Sequence, residues 1–304
     1  MKIKKIVIAD GNNLGWMAFG ITPLTHKGQR VEAIYVGLNM IRGYLRRFEP
    51  DEFYLVWDGG RDARRLKLYP DYKRRRKELS VEAVEERKNF FSQIQDLQGV
   101  MHSLGVVQFK CAGREADDVC HTLITGDKNE YAMVISTDKD FYQVLKHGRV
   151  EIYNPVTKGI IGEKDTEKLL GIPVSYFVDY RALVGDVSDN LPGVKGIGEK
   201  WAGWLINNIF EEGINYDELT KSQVRMVNVL FDGLGTFDLM GKLIRFKHIS
   251  KKEMKEGRHE RRPATLAELQ EIGISICERY GFDKHLNGFS HFIRPFESLW
   301  RKNE

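Results

Sequence analysis

Short apolar runs alternate with longer segments of helical period through the first half of the chain. Ile6–Asp10 (IVIAD) is rich in β-branched residues and stops at Gly11, and Phe53–Asp58 (FYLVWD) stops at Gly59-Gly60. Val106–Cys111, Ala132–Thr137 and Val150–Pro155 repeat the pattern. Runs of this length, bounded by turn residues, read as buried strands. Between them, Ala33–Phe48, Val81–Leu104 and Glu115–Thr125 read as helices. In the second of these, Val81, Val84, Phe91, Ile94, Met101 and Leu104 are expected on the core face. Strands alternating with helices predict an α/β fold with a mostly parallel central sheet flanked by helices. Ligands of such sheets sit beyond the carboxyl ends of the strands.

Acids gather at those ends. Asp10 closes the first strand and Asp58 the second, and Glu115, Asp117 and Asp118 in GREADD follow the third. Asp138 and Asp140 in STDKD follow the fourth. After Pro173 the pattern becomes helix, acidic loop, glycine hairpin and helix, with Asp186 and Asp189 in the loop. One strand-end aspartate is usually a helix cap or a solvated loop residue. Nine acids on loops that one sheet edge and one adjoining element can bring together are hard to obtain by accident.

Composition narrows the chemistry. With 304 residues and 42% hydrophobic content the chain can bury a sizeable core. Lys and Arg total 47 against 43 Asp and Glu, a net +4, so local distribution must identify partners. Cys111, Cys120 and Cys277 form no zinc spacing and no disulfide framework, which fits a reducing cytoplasm. No apolar run approaches the roughly 18 residues of a membrane span, and MKIKKIVIADG reads as a first strand rather than a signal peptide. Ionised acids crowded in a cleft repel and resist burial. Divalent cations offset that cost, and an all-oxygen donor set suits Mg²⁺ or Mn²⁺. Nine acids exceed the needs of one Mg²⁺, so two ions are expected, a pair suited to phosphodiester hydrolysis.

Two further segments point to nucleic acid. Arg61–Lys77 holds nine basic residues and two acids, with Tyr69 and Tyr72 interleaved, a composition suited to the phosphates and bases of a single strand. Solvated charge runs are commoner, but this one follows the Asp58 loop and would overhang the metals. Within it, Lys73 is the better candidate for the scissile phosphate, and Arg76 would share its face if the segment were helical. In LPGVKGIGEKWA, the glycines allow a tight turn that brings backbone amides to phosphate.

Together ADGNNLGWMAF, VWDGG, LYPDYKRRRKE, GREADD, STDKDF and GDVSDNLPGVKGIGEK resemble the 5′ nuclease, or flap endonuclease, family, which includes phage 5′→3′ exonucleases and the 5′ nuclease domain of bacterial DNA polymerase I. The resemblance runs from Ile6 to about Phe210. It implies a two-metal phosphodiesterase acting on 5′ ends and flaps, with Asp10, Asp58, Glu115 and either Asp117 or Asp118 at the first metal. Asp138, Asp140, Asp186 and Asp189 would serve the second. It implies a helical arch over roughly 61–90, with Lys73 and Arg76 catalytic and Tyr72, Arg74 and Arg75 on the DNA. It also implies a helix-hairpin-helix-like region over 171–260, where Gly193, Lys195, Gly196, Gly198 and Lys200 meet duplex DNA and the carbonyls of Val194 and Ile197 hold K⁺. The nuclease domain would then be 1–170 and a C-terminal helical segment 261–304. Many relatives carry an arginine where this chain has Met17.

Implied substrates are 5′ flaps, nicks and ends, with RNA–DNA hybrid a further candidate. Implied partners are a single-strand-binding protein or a sliding clamp, for a monomer in the cytoplasm of a bacterial or phage-infected cell. Phe289, Phe292, Phe296 and Trp300 have near-helical spacing, which favours a terminal helix packed on its own domain over a clamp-docking tail. A DNA-binding protein without catalysis would have no use for nine acids. Toxin-type metal ribonucleases are shorter and lack both the basic segment and the glycine hairpin.

Overall fold

The computed structural model describes residues 3–302 apart from 21, 75–79, 127–129, 212 and 214. The strands are β1 (Lys4–Asp10), β2 (Thr25–His26), β3 (Gln29–Arg30), β4 (Glu52–Val56), β5 (Val107–Phe109), β6 (Glu130–Ile135), β7 (Val150–Asn154), β8 (Gly159–Ile161) and β9 (Arg258–His259). One seven-stranded sheet runs in the order β8-β7-β6-β1-β4-β5-β9, and β2 and β3 form a separate small hairpin. The five central strands are parallel, while β8 and β9 close the two edges antiparallel.

Side chains on β1 alternate between two cores, as strand geometry requires. Val7 and Ala9 join Phe53, Leu55, Met133 and Ile135 on one face, covered by α1 (Gly11–Phe19), α2 (Glu32–Phe48) and α4 (Val81–Ser103). On the same side lie α12 (Leu266–Tyr280), α13 (Asp283–Asn287) and α14 (Phe289–Lys302). Ile6 and Ile8 join Ala132, Val134 and Ile152 on the other face, under α5 (Ala116–Gly126) and a 3₁₀ helix, Lys139–His147. Short α3 (Ala63–Leu68) follows the β4 loop, and α6 (Glu163–Leu170) follows β8.

The second unit consists of α7 (Phe177–Val184), α8 (Glu199–Leu205), α9 (Lys221–Asp232) and α10 (Leu234–Ile244), before α11 (Lys251–Gly257) returns to the sheet. Leu183, Val194, Ile197, Ala202, Leu205 and Val227 form its core. A smaller cluster of Tyr72, Val178, Ala182, Leu191 and Leu243 ties the basic segment to α7 and α10.

One packing expectation changes and one holds. Along α4 the core face is Phe90, Ile94, Leu97, Val100 and Met101, whereas Val81, Val84 and Phe91 are exposed. No residue from 81 to 89 is buried, and Phe91 sits beside buried Phe90 but faces away from the core, so the apolar spacing there carried no burial. The aromatic stripe at the C-terminus is internal: Phe292 and Phe296 are each 1% exposed, and the Trp300 indole donates to the Pro263 carbonyl at 2.8 Å.

Candidate metal centre

Asp10, at the end of β1, caps α1. Its carboxylate accepts from the Asn13 amide at 3.0 Å and from the Ser136 hydroxyl at 3.2 Å. Burial pushes its carboxyl up to about 7, and the charges of Asp58 and Asp138 add to the effect. Asp58, two residues beyond β4, accepts from the Ala116 amide at 2.9 Å and the Asn12 side chain at 2.8 Å. Burial raises its carboxyl too. The loop after it can hold only glycine, because a Cβ on Gly59 would lie 1.7 Å from the Cys111 carbonyl oxygen. That close approach sets the Asp58 loop against the start of GREADD.

The three acids of GREADD separate in space. Glu115 Oε2 accepts from the Tyr72 hydroxyl at 2.9 Å, Lys73 Nζ at 3.1 Å and Arg65 Nη1 at 3.2 Å. Burial holds the Asp117 carboxyl well above the usual range, with Arg65 and Lys73 opposing and Glu115 adding to the rise. Asp118 turns inward and is fully buried. It takes a two-pronged contact from Arg65, at 3.0 and 2.9 Å, a third from Arg64 at 3.3 Å, and the Lys247 amide at 2.7 Å. Those four donors occupy its oxygens, so of the adjacent pair only Asp117 remains available to a metal. Much of the cost of clustering these acids is therefore met by the chain's own cations.

A second group lies where the sheet meets the helical unit. Asp138 caps the 3₁₀ helix, accepting from the Asp140 amide at 2.8 Å. Oxygens of Asp140, Asp186 and Asp189 all lie within 4.8 Å of one another. Burial pushes Asp140 up to about 7, with Asp138 adding, and Asp189 up to about 6 despite Lys73. Burial also acts on Asp186, but hydrogen bonds from Ser188 and the charge of Arg181 outweigh it and lower its carboxyl. Arg181 joins the group, 3.3 Å from Asp140 and hydrogen-bonded to Asp186. The acidic loop is pinched shut by paired backbone bonds between Asp186 and Leu191, at 2.8 and 2.7 Å. Gly185, at φ +86°, permits this, since a Cβ there would lie 2.5 Å from the Leu191 carbonyl oxygen.

Lys73 joins the two groups. Its ammonium lies 3.1 Å from Glu115 and 3.6 Å from Asp189, and its amide donates to the Asp189 carbonyl at 2.9 Å. It sits in a turn at φ +51°, not on a helix, so the helical relation expected between Lys73 and Arg76 has no basis at Lys73. Arg75 and Arg76 lie outside the described residues. Arg74 is exposed and pairs with Asp71 at 2.8 Å. Tyr72, expected against DNA, is 3% exposed and spends its hydroxyl on Glu115, so it supports the site from within.

In the glycine hairpin, Gly193 and Gly196 have φ of +66° and +93°, and Gly198 caps α8. Lys195 and Lys200 are exposed, while Val194 and Ile197 are buried and point into the helical core. The Val194 carbonyl accepts from the Ile197 amide at 3.0 Å.

Sequence reasoning missed the supporting cations. Arg65 lies in the basic run but is 1% exposed, and its guanidinium also donates to the Leu243 carbonyl at 2.9 Å. Arg114 pairs with Glu253 at 2.6 Å and stands 3.5 Å from Asp62. The one available signal was placement: Arg181 is the single basic residue of the otherwise largely apolar FVDYRALV.

A family model described as 5′-3′ exonuclease, N-terminal resolvase-like domain, matches residues 5–171. DNA polymerase I of Caldicellulosiruptor bescii is 33% identical over 73% of the chain, which spans 26% of that protein. Flap endonuclease Xni of Shewanella halifaxensis is 31% identical over 81% of the chain, which spans 94% of Xni. Among solved structures, the T5 D15 protein co-crystallized with metal ions matches 99% of the chain and 100% of its own, with a TM-score of 0.67 at 18% identity. Human GEN1 in complex with Holliday junction DNA matches 95% of the chain and 72% of its own, with a TM-score of 0.58 at 18% identity. These two likenesses are of fold. The family model covers more than half of the chain, and the chain belongs to the 5′–3′ exonuclease family.

Proposed function

We propose that the protein is a structure-selective 5′ nuclease that hydrolyses phosphodiesters in DNA flaps, nicks and ends during replication or repair. The carrying observation is the convergence of Asp140, Asp186 and Asp189 within 4.8 Å, beside Asp10 and Asp58 at adjoining strand ends. Asp10, Asp58, Glu115 and Asp117 would hold one divalent cation, and Asp138, Asp140, Asp186 and Asp189 a second. The raised carboxyls of Asp10, Asp58, Asp117, Asp140 and Asp189 fit this reading, because a bound cation favours the ionised forms. All-oxygen donors favour Mg²⁺, with Mn²⁺ accepted in its place. When bound, such a pair supplies an activated water and neutralises charge on the leaving oxygen.

The chain's own residues do the positioning. Arg65 and Asp118 fix the start of α5 and so the direction of Asp117. Arg181 holds Asp140 and Asp186 at one separation. Lys73, 35% exposed at its side chain, can exchange part of its contact with Glu115 and Asp189 for an incoming phosphate, giving it a catalytic role. Arg76 and Arg74 would guide the 5′ strand, and Gly193–Lys200 would grip duplex through backbone amides, with K⁺ on the Val194 and Ile197 carbonyls. The three cysteines are buried and unpaired, which accords with a reducing cytoplasm. Cleavage of 5′-labelled flap, nicked duplex and RNA–DNA hybrid, with and without Mg²⁺, tests the reading. Products should carry a 5′ phosphate and a 3′ hydroxyl, and full cleavage in excess chelator would refute it.

A further inference from the structure

At the opposite end of the parallel strands, where β4 begins, lies a cleft of about 330 Å³ between the end of α2 and the last turns of α14. Its floor is apolar, with Leu45, Pro50 and Leu299 buried. Its rim is basic: Arg46, His291 and Arg294 are exposed, and Glu49 is the one acid among the lining residues. Among the described residues, neither Arg46 nor Arg294 has a carboxylate within 4.0 Å. Lys302 closes one end, donating to the Glu49 and Pro50 carbonyls at 2.6 and 2.9 Å, so the cleft wall is tied down. Leu299 also lines a second cleft of mixed charge, where Arg258 pairs with Glu260 at 2.7 Å and the Arg262 guanidinium lies 5.3 Å from the Trp300 ring centre.

We infer that this cleft is a docking site for an acidic peptide segment bearing apolar side chains, supplied by a protein partner. An apolar floor with cations on its rim complements a chain that offers carboxylates beside a Leu or Phe. Nucleic acid fits less well for two reasons. A phosphate backbone calls for donors along its path, not a dry apolar floor. The place is also wrong: from Glu52, where β4 begins, to Asp58 is six residue steps, which at ~3.3 Å each put the cleft roughly 20 Å from the metal centre, at the other end of the strands. A peptide held there would tether the nuclease to a partner without obstructing substrate. The aromatic stripe of α14 cannot serve this purpose, since Phe292 and Phe296 are already buried within the chain.

The test uses the full chain and a fluorescein-labelled peptide, Asp-Asp-Asp-Glu-Leu-Leu-Phe, with a free carboxyl end. Anisotropy should show saturable binding at micromolar peptide. The double change Arg46→Glu, Arg294→Glu should weaken it at least tenfold, with flap cleavage and melting temperature unchanged. Replacing the acids by Ser, or Leu and Phe by Ser, should each abolish binding. Absence of saturation up to about 1 mM, a value typical of the weakest specific contacts, would overturn the inference. So would equal binding by wild type and variant, or a variant that loses affinity for flap DNA instead of the peptide.

Discussion

Asp117 and Asp118 are neighbours in sequence with opposite physical tasks, and substituting each by Asn separates them. Asp118 is fully buried against Arg65, itself 1% exposed. Asp118→Asn leaves that guanidinium buried without its main counter-charge. Breaking a buried pair from one side costs about 3–5 kcal/mol. Asn retains an acceptor for the Lys247 amide, and Arg65 keeps Glu115 at 3.2 Å, which puts the cost near the lower end. For a chain of 304 residues, an unfolding entropy of about 2.1 cal/mol/K per residue makes 3 kcal/mol a loss of roughly 5 °C. Asp117→Asn acts the other way. Burial holds that carboxyl well above its usual range, so in chelator at pH 8 the neutral amide should leave melting unchanged or raise it. The same variant should lose most of the Mg²⁺-induced rise in melting temperature and at least 10²-fold in single-turnover rate. Scanning calorimetry in chelator and in Mg²⁺, with flap cleavage alongside, reads all of these quantities. Equal destabilisation by both substitutions, or a wild-type melting temperature for Asp118→Asn with turnover lost, would refute the assignment.

Metal-free protein should lose stability as pH rises. Asp10 and Asp140 have native values of about 7 against an ordinary 3.8, so the native state binds more protons between those limits; stability present below about 4 is lost as pH passes 6 to 7, and saturating Mg²⁺ should remove most of that slope. Melting curves from pH 5 to 8 check it, and a rise with pH in chelator would contradict it. Lys73→Ala should slow single-turnover cleavage by roughly 10²-fold or more, the scale of one electrostatic stabiliser, whereas a normal rate would remove Lys73 from the catalytic set. Gly196→Val forces a β-branched residue to φ +93° and should weaken duplex binding, with flap activity falling more than activity on single strands. Equal losses on both substrates would point to misfolding.

The parallel strands and the loops bearing Asp10, Asp58, Glu115, Asp138, Asp140, Asp186 and Asp189 were legible in the sequence. The reason is local: β-branched runs ending in Gly or Asp declare a buried strand and its exit loop without reference to the rest of the chain. Strand boundaries shifted by two residues at β4, which ends at Val56 rather than Asp58, because pairing stops where the Gly59 loop turns toward Cys111. Sequence could not rank the two aspartates of GREADD, since both sit in the first turn of one helix and differ only in direction. That direction is set by Arg65, 53 residues away, and by the Lys247 amide, 129 residues away. Nor could charge alone distinguish Arg65, buried as a structural counter-ion, from the exposed Arg74 nine residues on. Composition reports how many charges a segment holds, whereas packing against α10 decides which of them meets solvent. Tertiary structure likewise exposed the first turns of α4, because an apolar stripe becomes a core only where another layer covers it.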